Sequence, residues 1–195
     1  SNGTSTPLCN SVSFTVPSIT FVSGGLPTST WDAASSPYVV TGSVSVDNGA
    51  SLAIDGGVEV RFRSGTGLKV GRGSVDVNGV LGSEVLWTSL SDSVGEWGGV
   101  YYASTSDDGV GSDWSSAIIE NAGESIWGTS ALVTCNSTTE PLLNECILRN
   151  CSGVGLYAQS SRPSLVLCSI EVTSGSALYA SSGGFTAPQL AYIAS

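Results

Sequence analysis

Apolar and polar residues alternate in short runs along most of the chain, the period-two pattern of half-buried strands. From Tyr38 the pattern is regular. Val44 and Val46, then Leu52 and Ile54, then Val58, Val60 and Phe62 form successive runs, separated by Asp47-Asn48-Gly49 and Asp55-Gly56-Gly57. The separators are turn chemistry, because Asn and Gly accept a positive φ at little cost. The same pattern then returns: Leu68 and Val70 repeat Val44 and Val46, and Val75 and Val77 repeat Leu52 and Ile54. Later, Gly153-Val154-Gly155-Leu156-Tyr157-Ala158 recurs as Gly175-Ser176-Ala177-Leu178-Tyr179-Ala180. Pro141, Cys146 and Leu148 recur at the same offset as Pro163, Cys168 and Ile170. Repetition at this period is the mark of a solenoid, in which each repeat is one coil stacked on the next. Three runs per repeat, each long enough for one side of a triangular coil, predict an all-β parallel β-helix. Counted from Tyr38, it would hold about seven coils with three short strands per coil, each coil taking roughly 22–32 residues.

The middle of the chain is less even. Ala117-Ile118-Ile119-Glu120-Asn121 resembles the later Cys146-Ile147-Leu148-Arg149-Asn150, and Ala131-Leu132-Val133 corresponds to Gly155-Leu156-Tyr157. Ser104 to Asp113 reads as a loop protruding from one coil. Residues 1–23, rich in Ser and Thr, do not match the repeat. They are expected to cap the first coil or to end a preceding domain, and residues 24–195 to form the solenoid. The chain contains no methionine, and Leu190 to Ser195 falls inside what would be a further strand. Both features predict a piece of a longer polypeptide whose solenoid continues.

Several stretches resemble a known family. Thr30-Trp31-Asp32, Ser36-Pro37-Tyr38-Val39-Val40 and Gly49-Ala50-Ser51-Leu52-Ala53-Ile54, followed by Gly56-Gly57-Val58-Glu59-Val60-Arg61-Phe62, resemble the opening of right-handed parallel β-helix proteins of the pectate-lyase-like type. Asn78-Gly79-Val80-Leu81, Leu86-Trp87-Thr88-Ser89, Trp97-Gly98-Gly99-Val100 and the Pro-Leu-Leu-Asn-x-Cys-Ile-Leu-Arg-Asn segment fit the same pattern. The resemblance covers about residues 24–195 and implies a right-handed helix. It speaks weakly to function, since the family holds surface glycoproteins, adhesins, filament components, lyases and hydrolases.

Composition narrows the function. The net charge is -10, with one lysine among six basic residues. Binding of nucleic acid by phosphate neutralisation is therefore not expected. No apolar run is long enough for a helical membrane span. There is no histidine, which removes Ser-His-Asp and Cys-His catalysis and His-ligated metals. Glycoside hydrolysis needs two converging carboxylates. The repeat places Asp76 one coil after Ala53, Glu120 one coil before Arg149 and Glu171 one coil after it, so no carboxylate is expected to stack on another. The Asn-Thr-Asp, Asp-Asp and Gly-His-Gly motifs of the family's polygalacturonases are missing, and no acid cluster surrounds Arg149 or Arg162 as a calcium-dependent lyase would require.

Smaller signals remain. Tyr157 and Tyr179 should stack on adjacent coils and face outward, either to stabilise the ladder or to bind sugar rings. Trp31, Trp87, Trp97, Trp114 and Trp127 read as core or turn-packing residues. Asp107, Asp108 and Asp113 sit in a Gly-rich loop that either wraps a calcium ion or is simply solvated; no other cofactor is expected. Asn2, Asn136 and Asn150 begin glycosylation sequons, the last two after strands. Cys146 and Cys168 occupy equivalent positions on adjacent coils, and Cys135 and Cys151 follow strands; both pairs are disulfide candidates, leaving Cys9 for an external partner. Together these signals predict a non-catalytic structural module of a secreted or cell-surface glycoprotein. Its partners would be other extracellular subunits or glycans, and end-to-end or lateral assembly is open to it. The alternative is a polysaccharide-active lyase or hydrolase, or a carbohydrate-binding β-helix.

Overall fold

The computed structural model describes residues 18–103, 112–136, 139–189 and 192–194; Asn2, Cys9, Asp107 and Asp108 lie outside them. The described chain is all-β. The first strands are β1 (Thr20–Leu26), β2 (Ser29–Trp31), β3 (Tyr38–Val46), β4 (Ser51–Asp55), β5 (Glu59–Phe62), β6 (Leu68–Val70) and β7 (Ser74–Asn78). Then come β8 (Val85–Ser89), β9 (Val100–Tyr102), β10 (Asp113–Ser115), β11 (Ala117–Glu120), β12 (Ala131–Asn136) and β13 (Leu142–Asn144). The last are β14 (Ile147–Arg149), β15 (Val154–Gln159), β16 (Ser164–Val166), β17 (Ser169–Glu171), β18 (Ser176–Ser181), β19 (Thr186–Gln189) and β20 (Tyr192–Ala194). No α-helix occurs among the described residues; a single 3-10 turn, Ala33–Ser35, is capped by the Asp32 carboxylate, which accepts from the Ser35 N–H at 2.8 Å.

Every ladder between these strands is parallel, and from β4 onward each strand pairs with the strand three further along the chain. One sheet runs β2-β4-β7-β10-β13-β16-β19. The other runs from β18 through β15, β12, β9 and β6 to β3, and on through β5, β8, β11, β14 and β17 to β20. Strand β3 is long enough to serve both arms of that sheet: Tyr38 to Val40 pair with β5, and Val44 to Val46 pair with β6. Strand β1 pairs with both halves of β3. The expected domain boundary at residue 23 therefore lies inside β1, and pairing with the sheet begins at Thr20.

The registers turn sequence alternation into interior columns. Trp31, Ile54, Val77, Trp114, Leu143 and Leu165 lie in line on one sheet. Tyr38, Val60, Trp87, Ile119, Leu148 and Ile170 do so on one arm of the other, and Val44, Leu68, Val100, Val133 and Leu156 on its second arm. All of these are buried, with exposures between 0 and 4%. Aromatic rings stack through the core: Trp97 on Phe62 at 4.1 Å, Phe62 on Trp87 at 6.0 Å, and Trp87 on Trp114 at 4.8 Å. Trp31, Trp87, Trp97 and Trp114 are core residues, while Trp127 is half-buried in a turn.

Turns carry the backbone strain. Ser116, Glu145 and Leu167, at the corner that follows β10, β13 and β16, have φ of 47°, 55° and 52°. The asparagines at the end of β11 and β14, Asn121 and Asn150, have φ of 64° and 55°. Asn tolerates this region through its short polar side chain, whereas at Leu167 it costs on the order of 1–2 kcal/mol.

Two expectations need correction. The pairing of Val77 with Trp114 spans more of the chain than the longest expected repeat. Strand β12 also pairs one residue away from the expected register: Val133, not Leu132, lies opposite Leu156. Ala131 to Cys135 are all buried, so that run lacks the in-and-out contrast by which a sequence announces its register.

Candidate functional site

The outward positions of the arm formed by β6, β9, β12, β15 and β18 place Lys69, Tyr101, Thr134, Tyr157 and Tyr179 in one column. Parallel register sets Tyr157 beneath Tyr179, and their rings stack 5.2 Å apart at 12°. Tyr101 stands in the same column, between Lys69 and Thr134. A half-buried residue of the turn before β12, Trp127, stacks against it at 5.7 Å, and the Asn136 Nδ2 donates to its hydroxyl at 3.1 Å. Thr134, between the tyrosines, shares a 2.9 Å hydrogen bond with Thr129. The sequence anticipated the Tyr157–Tyr179 pair but not Tyr101 and Trp127, which the long offset between Val100 and Val133 and the intervening turn hid from view. Face-to-face stacking covers one face of each ring in the pair. Tyr179, 49% exposed, keeps its outer face open.

The cysteines behave differently from one another. Cys146 and Cys168 are fully buried at the corners after β13 and β16, and each Sγ donates to nearby carbonyls: Cys146 to Asn144 at 3.4 Å, Cys168 to Leu143 at 3.2 Å. Interaction between the two neighbouring thiols draws Cys168 below the ordinary thiol value and holds Cys146 well above it. All four described cysteines are free thiols. Cys135 is not brought to Cys151. It lies between Tyr102 and Ala158 in the ladder, with its thiol pushed up by burial, and Cys151 Sγ instead donates to the Val154 carbonyl at 3.3 Å.

The linkage for the stacked pair has two signs. Cys168, depressed, contributes stability that is present above the ordinary 9.0 and is lost as pH falls through its own lowered value; Cys146, raised, contributes below its ordinary 9.0 and loses that contribution as pH climbs through its own value. Ultraviolet thiolate absorbance should therefore show one sulfur of the pair ionising below the ordinary thiol range in the folded protein, and Cys168→Ser should abolish that step. A titration with no thiolate forming below the ordinary thiol range would refute this assignment.

Carboxylates contribute one arrangement the sequence reading missed. Trp114 pairs with Val77, so Asp113 lies beside Asp76, and the Asp113 N–H donates to Asp76 Oδ1 at 3.3 Å. This corrects the expectation that no carboxylate neighbours another; the length of that circuit concealed it. Elsewhere the expected stack holds: Glu120 lies opposite Arg149, whose Nε meets Glu120 Oε2 at 2.7 Å. Among the described residues no group of three or more His, Cys, Asp or Glu converges as metal ligands, and Asp113 is the one residue of the calcium candidates that they include.

Comparison with protein-family models, with curated proteins and with solved structures yields no match. The site must therefore be read from its own geometry. Of the sequons, Asn150 is exposed at the turn after β14, with Ser152 also exposed, whereas Asn136 is half-buried against Tyr101.

Proposed function

We propose that the chain is a three-sided, right-handed parallel β-helix of about seven coils and that it serves as a non-catalytic structural module of a secreted or cell-surface glycoprotein. The observation that carries this reading is the unbroken set of interior columns, in which strand after strand pairs three along and every circuit buries the same kind of side chain. Such a body is stabilised by neighbour-to-neighbour contacts and keeps its shape along its length, as a spacer or filament element requires. The outward tyrosines fit the same role, because stacked rings stabilise a parallel ladder, and the stack leaves only the outer face of Tyr179 open. Exposed Asn150 would carry the glycan, and the stacked Cys146 and Cys168 stand where oxidation would bridge two coils.

A second reading, a polysaccharide-active enzyme, draws on Asp76 and Asp113, two acids on neighbouring strands of the kind a glycosidase uses in pairs. One panel separates the two: turnover of polyuronates and neutral polysaccharides with calcium present, and binding to a glycan array. The wild type is compared with the Tyr157→Ala/Tyr179→Ala and Asp76→Asn/Asp113→Asn variants. The structural reading expects no turnover and no change on the array, with the tyrosine variant losing about 0.5–1.5 kcal/mol of stability beyond its lost area. Product release that vanishes in the aspartate variant, or glycan binding that vanishes in the tyrosine variant, would overturn it.

A further inference from the structure

On the outward side of β8, β11 and β14 one column is apolar, beside the polar column that holds the Glu120–Arg149 ion pair. Leu86, Ile118 and Ile147 form one column there, each only half-buried. The turn between β7 and β8 lays Leu81 next to this column, and Leu81 is 91% exposed. Between Leu81, Ile118 and Ile147 lies a groove of about 220 Å³, which Glu84 and Glu145 also line. That volume is small for a whole ligand but suits a single large side chain used as an anchor. Both carboxylates are oriented by neutral donors: Glu84 Oε1 accepts from the Gly82 N–H at 3.0 Å, and Glu145 Oε2 accepts from the Ser116 hydroxyl at 3.2 Å. Among the described residues neither has a cationic partner; the two ion pairs present join Arg61 to Glu59 and Arg149 to Glu120.

We infer that this groove is a docking site for a basic segment of another protein, which seats one aliphatic or aromatic side chain between Leu81, Ile118 and Ile147 and sets flanking Lys or Arg against Glu84 and Glu145. Charge decides the occupant. The chain carries a net charge of -10 with six basic residues in all, so a second copy would bring like charge to an acidic rim. A neutral apolar partner would leave both carboxylates desolvated without compensation. The inference rests on reading the chain as an assembly module and names the chemistry of what it assembles with.

The probe is a labelled peptide, Arg-Lys-Phe-Lys-Arg, followed by fluorescence anisotropy, with the same peptide carrying Ser for Phe or Glu for each basic residue as comparisons. The basic Phe peptide should bind, and replacing its Phe should weaken binding about tenfold. Leu81→Ser, at a side chain too exposed to affect folding, and Ile118→Ser should each weaken it by a similar factor. Glu84→Gln/Glu145→Gln should lower affinity several-fold and flatten its dependence on salt. Affinity unchanged by Leu81→Ser and Ile118→Ser would mean a general response of an acidic surface and overturns the site. So would binding of the Glu-flanked peptide, or self-association of the chain that Leu81→Ser abolishes. None of these outcomes touches the assays of turnover and glycan binding on which the module reading depends, so the two can fail separately.

Discussion

Trp87→Ala should destabilise the protein by about 3–5 kcal/mol, the range for removing a large buried aromatic from a close-packed core. Trp87 is fully buried and sits mid-stack, with Phe62 on one side at 6.0 Å and Trp114 on the other at 4.8 Å. Its removal leaves a void that neighbours cannot fill, because Phe62 is already held by Trp97 at 4.1 Å and Trp114 by its own ladder partners Val77 and Leu143. Urea unfolding followed by circular dichroism would measure the shift in midpoint. Hydrogen exchange would then show protection lost first in β5, β8 and β11, since contacts in such a ladder reach only to adjacent strands. A loss below about 1 kcal/mol would mean that the stack is not the packed centre described above.

Gly99→Val should cost a comparable amount for a different reason. Gly99 has φ of +72°, and a Cβ placed there would lie 2.2 Å from the Ala131 carbonyl oxygen and 2.6 Å from that of Leu132. Its own carbonyl accepts from the Leu68 N–H at 3.2 Å, so the residue is clamped between the strands on either side and cannot retreat. The left-handed backbone contributes about 1–2 kcal/mol and the forced separation of backbones about 1–3 kcal/mol more. Gly49→Ala isolates the first contribution, because Gly49 has a similar φ of +76° and open space where its Cβ would go. Equal losses at the two positions, read from the same urea midpoints, would show that close approach at Gly99 contributes nothing.

Most of the strand pattern was legible because alternation and offset are both visible in the sequence. The pairing of Leu52 with Val75, of Glu120 with Arg149 and of Tyr157 with Tyr179 follows directly from the repeat. What stayed hidden lay beyond irregular connections. Asp76 and Asp113 meet across the longest circuit, and Tyr101 meets Trp127 through a turn that matches no repeat. Cys135 and Cys151 looked alike in sequence because both follow strands, yet one is a ladder position and the other a corner. Strand β12 shows why register can fail even inside a repeat: when both sides of a strand are covered, inward and outward residues are chemically the same.

The regular pairing between β12, β15 and β18 has a consequence for size. Val133, Leu156 and Leu178 are separated by nearly equal stretches of chain and occupy matching ladder positions on successive strands. In the β-helix proposed above, inserting or deleting one such circuit would change the length of the body by about 4.8 Å, the spacing of neighbouring strands, and leave every other contact as it was. Such a body would be a graduated ruler. Duplication of a short stretch of gene is enough to reset the distance it spans, in steps finer than the width of a single helix.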